Sequence, residues 1–469
     1  MIGRGLASGL LLLLAGCATA RGRPVSAPGE LAYRISGPST PRAIDVEILR
    51  VRGGPAAFTF ATPGAVERVR AQLEDGAFVE LSVPASGELD VPNDWVALRY
   101  RFSLDDVHRW FGSTDLSWGV ASQDELLLPG AAWLLRPRVP LPDLTATIST
   151  AGLAALLPWE PQSEGRWAVS SQQLAEPGFH AFGGRRCYLT VGQGRLEVAV
   201  LGAEHPLGDA ALCEWIRSSA AEVLQVRAEF PVTRAAISIV PVQSNEASPF
   251  GRLLPSHPRS LGFLVGSQAV SEDFAKDVVA LHELLHLAHP SFEPKETWLT
   301  EGLATYFTEV ARTRSGRQSP ENGWEELLDG FDRGAEVSGG MRMDEVIREQ
   351  GVAGRLRAAA WTGVWFLLAL DLELRRLTQG LRALDDVLDA LGNRPISLAQ
   401  FAAQVDALAG QPVFEAVFAR QRGRPAFALR QDLLDALGVH RSDGKVRFEE
   451  APRAAEREAL MRIKVRPNR

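Results

Sequence analysis

Residues 278–289 read Val-Val-Ala-Leu-His-Glu-Leu-Leu-His-Leu-Ala-His, an apolar run that carries the pattern H-E-x-x-H at 282–286. On a helix, His282 and His286 are i and i+4, so both imidazoles leave one face a turn apart. Two nitrogen ligands need that bite to share one tetrahedral Zn2+. Glu283 lies about 100° round the helix, where it can reach a water beside such an ion but cannot take a regular ligand position. With eight histidines and 57 acidic residues in 469, chance produces the pattern with a probability of about 0.02 at most. The context is also helical. Ser271 is placed to cap, and Glu272 and Asp273 fall in the first turn. Phe274, Val278, Leu281, Leu285 and Ala288 make an apolar stripe, and Pro290 ends it. One helix from Ser271 to His289 is therefore expected at the edge of a core. The bland alternative is a core helix with an incidental pattern.

Catalytic zinc usually takes three protein ligands and a water. His289 shares the helix face but lies two turns from His282, about 10 Å along the axis. It suits a helix end or the support of a ligand better than coordination. Glu301 is the better third ligand. It sits in Trp298-Leu299-Thr300-Glu301-Gly302-Leu303-Ala304-Thr305-Tyr306-Phe307, which opens a second helix, and Gly302 beside it permits close helix approach. The competing role for Glu301 is a first-turn charge stabilised by the helix dipole. In the first reading, Zn2+ on His282, His286 and Glu301 activates a water, and Glu283 is the general base of an amide hydrolysis.

The pattern Trp298-x-x-Glu301-Gly302-x-Ala304-x-Tyr306 resembles the third-ligand motif of gluzincin aminopeptidases. Ala369 to Arg376, then Thr378 and Gly380, then Leu384-Asp385-Asp386-Val387-Leu388, is similar to the glycyl aminopeptidase family of gluzincins. That resemblance implies an N-terminal β domain, a thermolysin-like catalytic domain and usually a C-terminal PDZ domain. The order of parts agrees from about 31 to 440, and the sequence ends after the helical part, so no PDZ domain is expected. The metzincin pattern is absent, with His at 289 in place of Gly and Phe at 292 in place of the third His. Two departures from the gluzincin resemblance stand out. A tyrosine that helps stabilise the tetrahedral intermediate is expected at 360, in Ala360-Trp361-Thr362-Gly363, and alanine stands there. His257 and Tyr306 are the candidate proton donors or oxyanion stabilisers in its place. The segment that captures a substrate amino terminus is replaced by Phe250-Gly251-Arg252-Leu253-Leu254-Pro255-Ser256-His257. Endopeptidase and aminopeptidase activity therefore both stay open.

The N-terminus reads as a targeting segment. Arg4 precedes a short apolar stretch, Leu6 to Leu14, too short to span a bilayer. Leu14-Ala15-Gly16-Cys17 resembles the lipobox of bacterial lipoproteins, which implies cleavage before Cys17 and its acylation. An ordinary secretory signal with an incidental cysteine is the alternative. Residues 1–16 are then signal peptide and 17–30 the lipid anchor and tether. Ala18 after the cysteine points by the same resemblance to the outer membrane, facing the periplasm. The remaining cysteines, Cys187 and Cys213, either pair in that oxidising compartment or are buried small hydrophobes. A net charge of −7 without a basic run gives no reason to expect nucleic acid.

The rest of the chain divides by periodicity. Residues 43–51, 78–83 and 95–102 alternate as strands, so 31–183 is expected as an N-terminal β-sandwich-like domain. Residues 184–320 form the zinc-binding α/β part, with a helix from about 209 to 226, a strand at 235–242 and a loop at 243–260. The strand Leu261-Gly262-Phe263-Leu264-Val265 follows and reads as a sheet edge able to hold an extended peptide. A helical part is assigned to 321–440; a polar loop at 314–340 overlaps its start, and it includes a long buried helix from 356 to 377. A charged tail occupies 441–469. The fold class is α+β. The function expected is an envelope-anchored zinc metallopeptidase acting on a peptide or protein substrate, with membrane attachment through Cys17. The alternative, prompted by Ala360, is a zinc-bearing envelope scaffold or binding protein with little proteolysis.

Overall fold

The structure is a computed structural model that describes residues 29–37, 43–103, 120–122, 125–150 and 152–462. Cys17 and the rest of the expected signal and tether up to residue 28 lie outside the described residues. The fold is α+β. The N-terminal part is built on an eight-stranded sheet. Its strand order is Pro161–Ser163, Arg166–Ser170, Leu144–Ser149, Gly29–Ser36, Ala43–Arg52, Trp95–Ser103, Val66–Leu73 and Phe78–Glu80. Alternation does what it should in the central strands, where Ile44, Val46 and Ile48 face Leu98, Tyr100 and Phe102 in the core. At the edge, Phe78–Glu80 is exposed throughout despite its pattern, because no layer of the described residues covers it. Two smaller sheets, of three and four strands, share its core, the first through Phe58 and Leu89 and the second through Leu126, Leu128 and Phe182.

The second core surrounds a five-stranded mixed sheet in the order Arg185–Val191, Gly194–Val200, Arg234–Val242, Arg259–Gly266 and Phe250–Leu254. The three middle strands are parallel and the outer two antiparallel. Ala235 to Val240 is buried at every position, as a strand covered on both faces must be. One face packs against the N-terminal part through Leu127, Leu156, Phe179 and Ala181. The other carries the helices Asp209–Val223 and Val279–Leu285.

This topology corrects the expected substrate edge. Leu261 to Val265 is paired on both sides, and the free edge is Phe250–Leu254, which had read as loop. The expected helix from Ser271 to His289 is likewise two pieces, Ser271–Lys276 and Val279–Leu285. Asp277 breaks it. Its backbone turns extended (ψ 138°), and its carboxylate accepts the Ala280 N–H (3.0 Å) and the Trp215 indole N–H (3.2 Å). Val270, not Ser271, holds the cap position, and its N–H donates to Asp273. Val278, placed in the apolar stripe by spacing, lies at the break and is exposed.

Two further stretches fold where loop and tail were expected. Residues 320–338 form a helix capped by Ser319, whose hydroxyl accepts the Asn322 N–H, with Pro320 in the first turn and Gly339 in the left-handed region at its end. Trp324, Leu327, Leu328 and Phe331 bury its apolar face. The internal glycines that suggested a loop are packing positions, since a Cβ at Gly330 would run into the Trp361 ring. The expected charged tail contains a hairpin, Val439–Ser442 with Lys445–Phe448, and a helix, Ala454–Met461, that buries Leu460. The long helix Leu356–Leu377 forms as expected, and no helix of the described residues is long and apolar enough to cross a membrane.

Candidate metal and catalytic site

The short helix Val279–Leu285 buries Ala280, Leu281, Leu284 and Leu285, which leaves His282, Glu283 and His286 on its remaining face. The last turn tightens, with Leu287 and Ala288 N–H groups donating to carbonyls three residues back. His282 and His286 keep their i, i+4 relation, with ring centroids 4.9 Å apart. Their Nε2 atoms face one oxygen of Glu301, at 3.4 and 3.8 Å.

Glu301 is carried by the helix Thr297–Arg314, which crosses Leu356–Leu377 with almost no gap. A Cβ on Gly302 would lie 2.9 Å from Gly363, and one on Gly363 would collide with the Trp298 carbonyl. Two glycines in register therefore let the helices meet backbone to backbone. Among the described residues, His282, His286 and Glu301 are the one group of three such side chains with converging donor atoms, all within 4.8 Å of one another. Tetrahedral coordination with nitrogen and oxygen at about 2.0–2.1 Å separates donors by about 3.4 Å, so the set fits Zn2+.

The charges follow from this proximity. Burial alone opposes the charged form of each group. In Glu301 it is outweighed by the His282 hydrogen bond and the pull of the neighbouring histidines, and its pKa falls to about 2. In His282 burial is outweighed by Glu301 and Glu283, and its pKa is raised. His286, where burial dominates, falls to about 3 and stays neutral, the form a metal requires. Burial raises Glu283, against the pull of His282.

Glu283 is fixed from the side that sequence reading missed. The edge strand Phe250–Leu254 lies against the H-E-x-x-H helix, and the Leu253 N–H donates to Glu283 Oε2 at 2.8 Å. Gly251 makes this approach feasible, because a Cβ there would sit 2.9 Å from Glu283 Cγ and 2.8 Å from Val279. The sequence signal was Gly251 within an otherwise bulky five-residue run, hidden between Ser248 and Pro255.

Neither candidate for the missing tyrosine is in place. Tyr306 is fully buried on the ligand helix and donates its hydroxyl to Asp371 (2.8 Å). His257 is largely exposed and pairs through Nδ1 with Glu176 (3.1 Å). Ala360 is half-buried near the start of the long helix. The other three tyrosines are elsewhere. Tyr33 and Tyr100 donate to backbone carbonyls in the N-terminal core, and Tyr188 is exposed on the sheet edge opposite Phe250–Leu254. Cys187 and Cys213 form a disulfide that ties the Arg185–Val191 strand to the Asp209–Val223 helix.

No family model and no curated protein matches the chain. Solved structures do. An aminopeptidase N family protein from Idiomarina loihiensis aligns over 87% of this chain and 78% of its own, at TM-score 0.64 and 14% identity. An M1 zinc metallopeptidase from Deinococcus radiodurans aligns over 84% of this chain and 93% of its own, at TM-score 0.47 and 16% identity. Leukotriene A4 hydrolase from Saccharomyces cerevisiae aligns over 87% and 71%, at TM-score 0.47 and 12% identity. The likeness to the Idiomarina protein is one of fold. The two lower scores add nothing to it.

Proposed function

We propose that this protein is a zinc-dependent peptidase of the bacterial cell envelope, with His282, His286 and Glu301 as metal ligands and Glu283 as general base. The observation that carries the reading is the convergence of those three donor atoms beside a carboxylate anchored by the edge strand. Zinc held there would supply a Lewis acid that polarises a carbonyl and lowers the pKa of a water. The chain's own contribution is positional. The Leu253 N–H occupies Glu283 Oε2, which leaves Oε1 to take a proton from water and return it to the leaving amine. Among the described residues the outer side of Phe250–Leu254 has no strand partner, so its main-chain groups other than the Leu253 N–H can bind an extended peptide by β-augmentation.

Envelope placement rests on the lipobox at Cys17, and the Cys187–Cys213 disulfide fits an oxidising compartment.

Glu301→Ala tests the ligand set. Metal analysis of the purified wild type should give about one zinc per chain, and the variant should lose it. An unchanged metal content in the variant would move the third ligand elsewhere. A second reading, a zinc-bearing envelope scaffold with little hydrolysis, is favoured by one observation. All four tyrosines are accounted for, and none presents a hydroxyl to the three ligands.

A further inference from the structure

His289 is the third histidine of the H-E-x-x-H-x-x-H run, and no ligand or base role uses it. It is buried beside His286, with ring centroids 5.1 Å apart at 72°. His286 Nδ1 lies 3.0 Å from His289 Nε2, and His289 Nδ1 lies 2.7 Å from the Pro290 carbonyl oxygen. The direction of this chain is fixed by its last member. A carbonyl only accepts, so His289 Nδ1 carries the proton and, in the neutral ring, His289 Nε2 is a lone pair. That lone pair accepts the proton on His286 Nδ1. His286 Nε2 is then unprotonated, and it is the nitrogen that faces Glu301.

The acceptor end is held rigidly. Arg227, paired with Asp389 (3.1 Å), donates to the Ala288 carbonyl (2.5 Å). The Ile396 N–H donates to the Ser291 carbonyl (3.0 Å). The turn that follows the metal-site helix is thus clamped on both sides of Pro290, by Arg227 on one side and by Ile396 of the helical C-terminal part on the other.

We propose that His289 is a positioning residue that selects the tautomer and ring orientation of His286, through a one-way hydrogen-bond chain ending on the Pro290 carbonyl. The proposal rests on the zinc reading above and adds to it a reason for the third histidine. Removing the acceptor frees His286 to rotate and to place a proton on Nε2, which weakens metal binding by about 10- to 100-fold.

The test measures zinc affinity by chelator competition for wild type, His289→Phe and His289→Gln, with circular dichroism of each chain. Phe fills the site without an acceptor, and Gln restores a carbonyl oxygen near the Nε2 position. The expected result is tight binding by wild type, the stated loss in His289→Phe and recovery of most of it in His289→Gln. Equal affinity of wild type and His289→Phe overturns the proposal and leaves the zinc site standing. Wild type that binds no zinc overturns the zinc reading itself. If His289→Phe does not fold, nitrogen NMR of histidine-labelled zinc-loaded wild type decides. A protonated Nδ1 on His286 supports the proposal, and zinc on Nδ1 contradicts it.

Discussion

Replacing Glu283 with Gln should abolish hydrolysis while leaving metal content unchanged. The amide is nearly isosteric, and its oxygen can still accept the Leu253 N–H. The fold of the helix and the three ligand atoms are untouched, because Glu283 is not among them. What disappears is the ability to take and return a proton, worth a factor of about 10² to 10⁴. Single-turnover assays on a cleaved peptide, with zinc measured on the same samples, check both halves. Activity within tenfold of wild type would remove Glu283 from the chemistry. Loss of metal together with activity would make it a structural residue.

The second large effect is on stability and lies away from the metal. Arg314 and Asp385 are 2.6 Å apart with side chains 1% and 0% exposed. Arg314 also donates to the carbonyls of Gln225 and Leu460, so one guanidinium joins the ligand helix to the Asp209–Val223 helix region and to the C-terminal helix. Asp385→Ala leaves that charge buried without its counterion. The expected cost is about 3–5 kcal/mol, since breaking a buried pair from one side is far worse than never having built it. Denaturant unfolding should show it as a lower midpoint with an unchanged slope. Arg314→Met with Asp385→Leu should recover most of the loss. A change under about 1 kcal/mol in Asp385→Ala, the range of exposed pairs, would contradict the burial.

That pair also explains the segments on which the glycyl aminopeptidase resemblance rests. Asp371 accepts from the Tyr306 hydroxyl, the Arg375 guanidinium and the Leu384 N–H. Asp385 accepts from Arg314. These residues lock helices behind the ligand helix and have no contact with the proposed chemistry. Tyr306, read as a donor from its place in the motif, belongs to this lock.

The site was legible where one element carries the signal. H-E-x-x-H brings two imidazoles together by helix geometry alone, and Glu301, chosen for its separate helix, for Gly302 and for its match to the gluzincin third-ligand motif, lies against both. The failures came where a second element decides. Asp277 breaks the helix because Trp215 and Ala280 offer its carboxylate partners that spacing does not reveal. The helix at 320–338 was hidden by glycines that pack closely on Thr313, Trp361 and Phe427. The edge strand at 250–254 was hidden by its turn-forming neighbours, and its register follows only from pairing with Arg259–Gly266. His257 and Tyr306 were chosen by chemistry without a location, and the structure spends one on Glu176 and the other on Asp371.

Hydrolysis of a peptide library by purified zinc-loaded protein, read by mass spectrometry with and without a chelator and beside Glu283→Gln, addresses the peptidase reading directly. Cleavage products that appear with wild type, vanish with chelator, return on adding zinc and are absent with Glu283→Gln are the predicted result. A chain that binds zinc at His282, His286 and Glu301 yet yields no cleavage beyond the Glu283→Gln background would contradict it and leave the scaffold reading in its place.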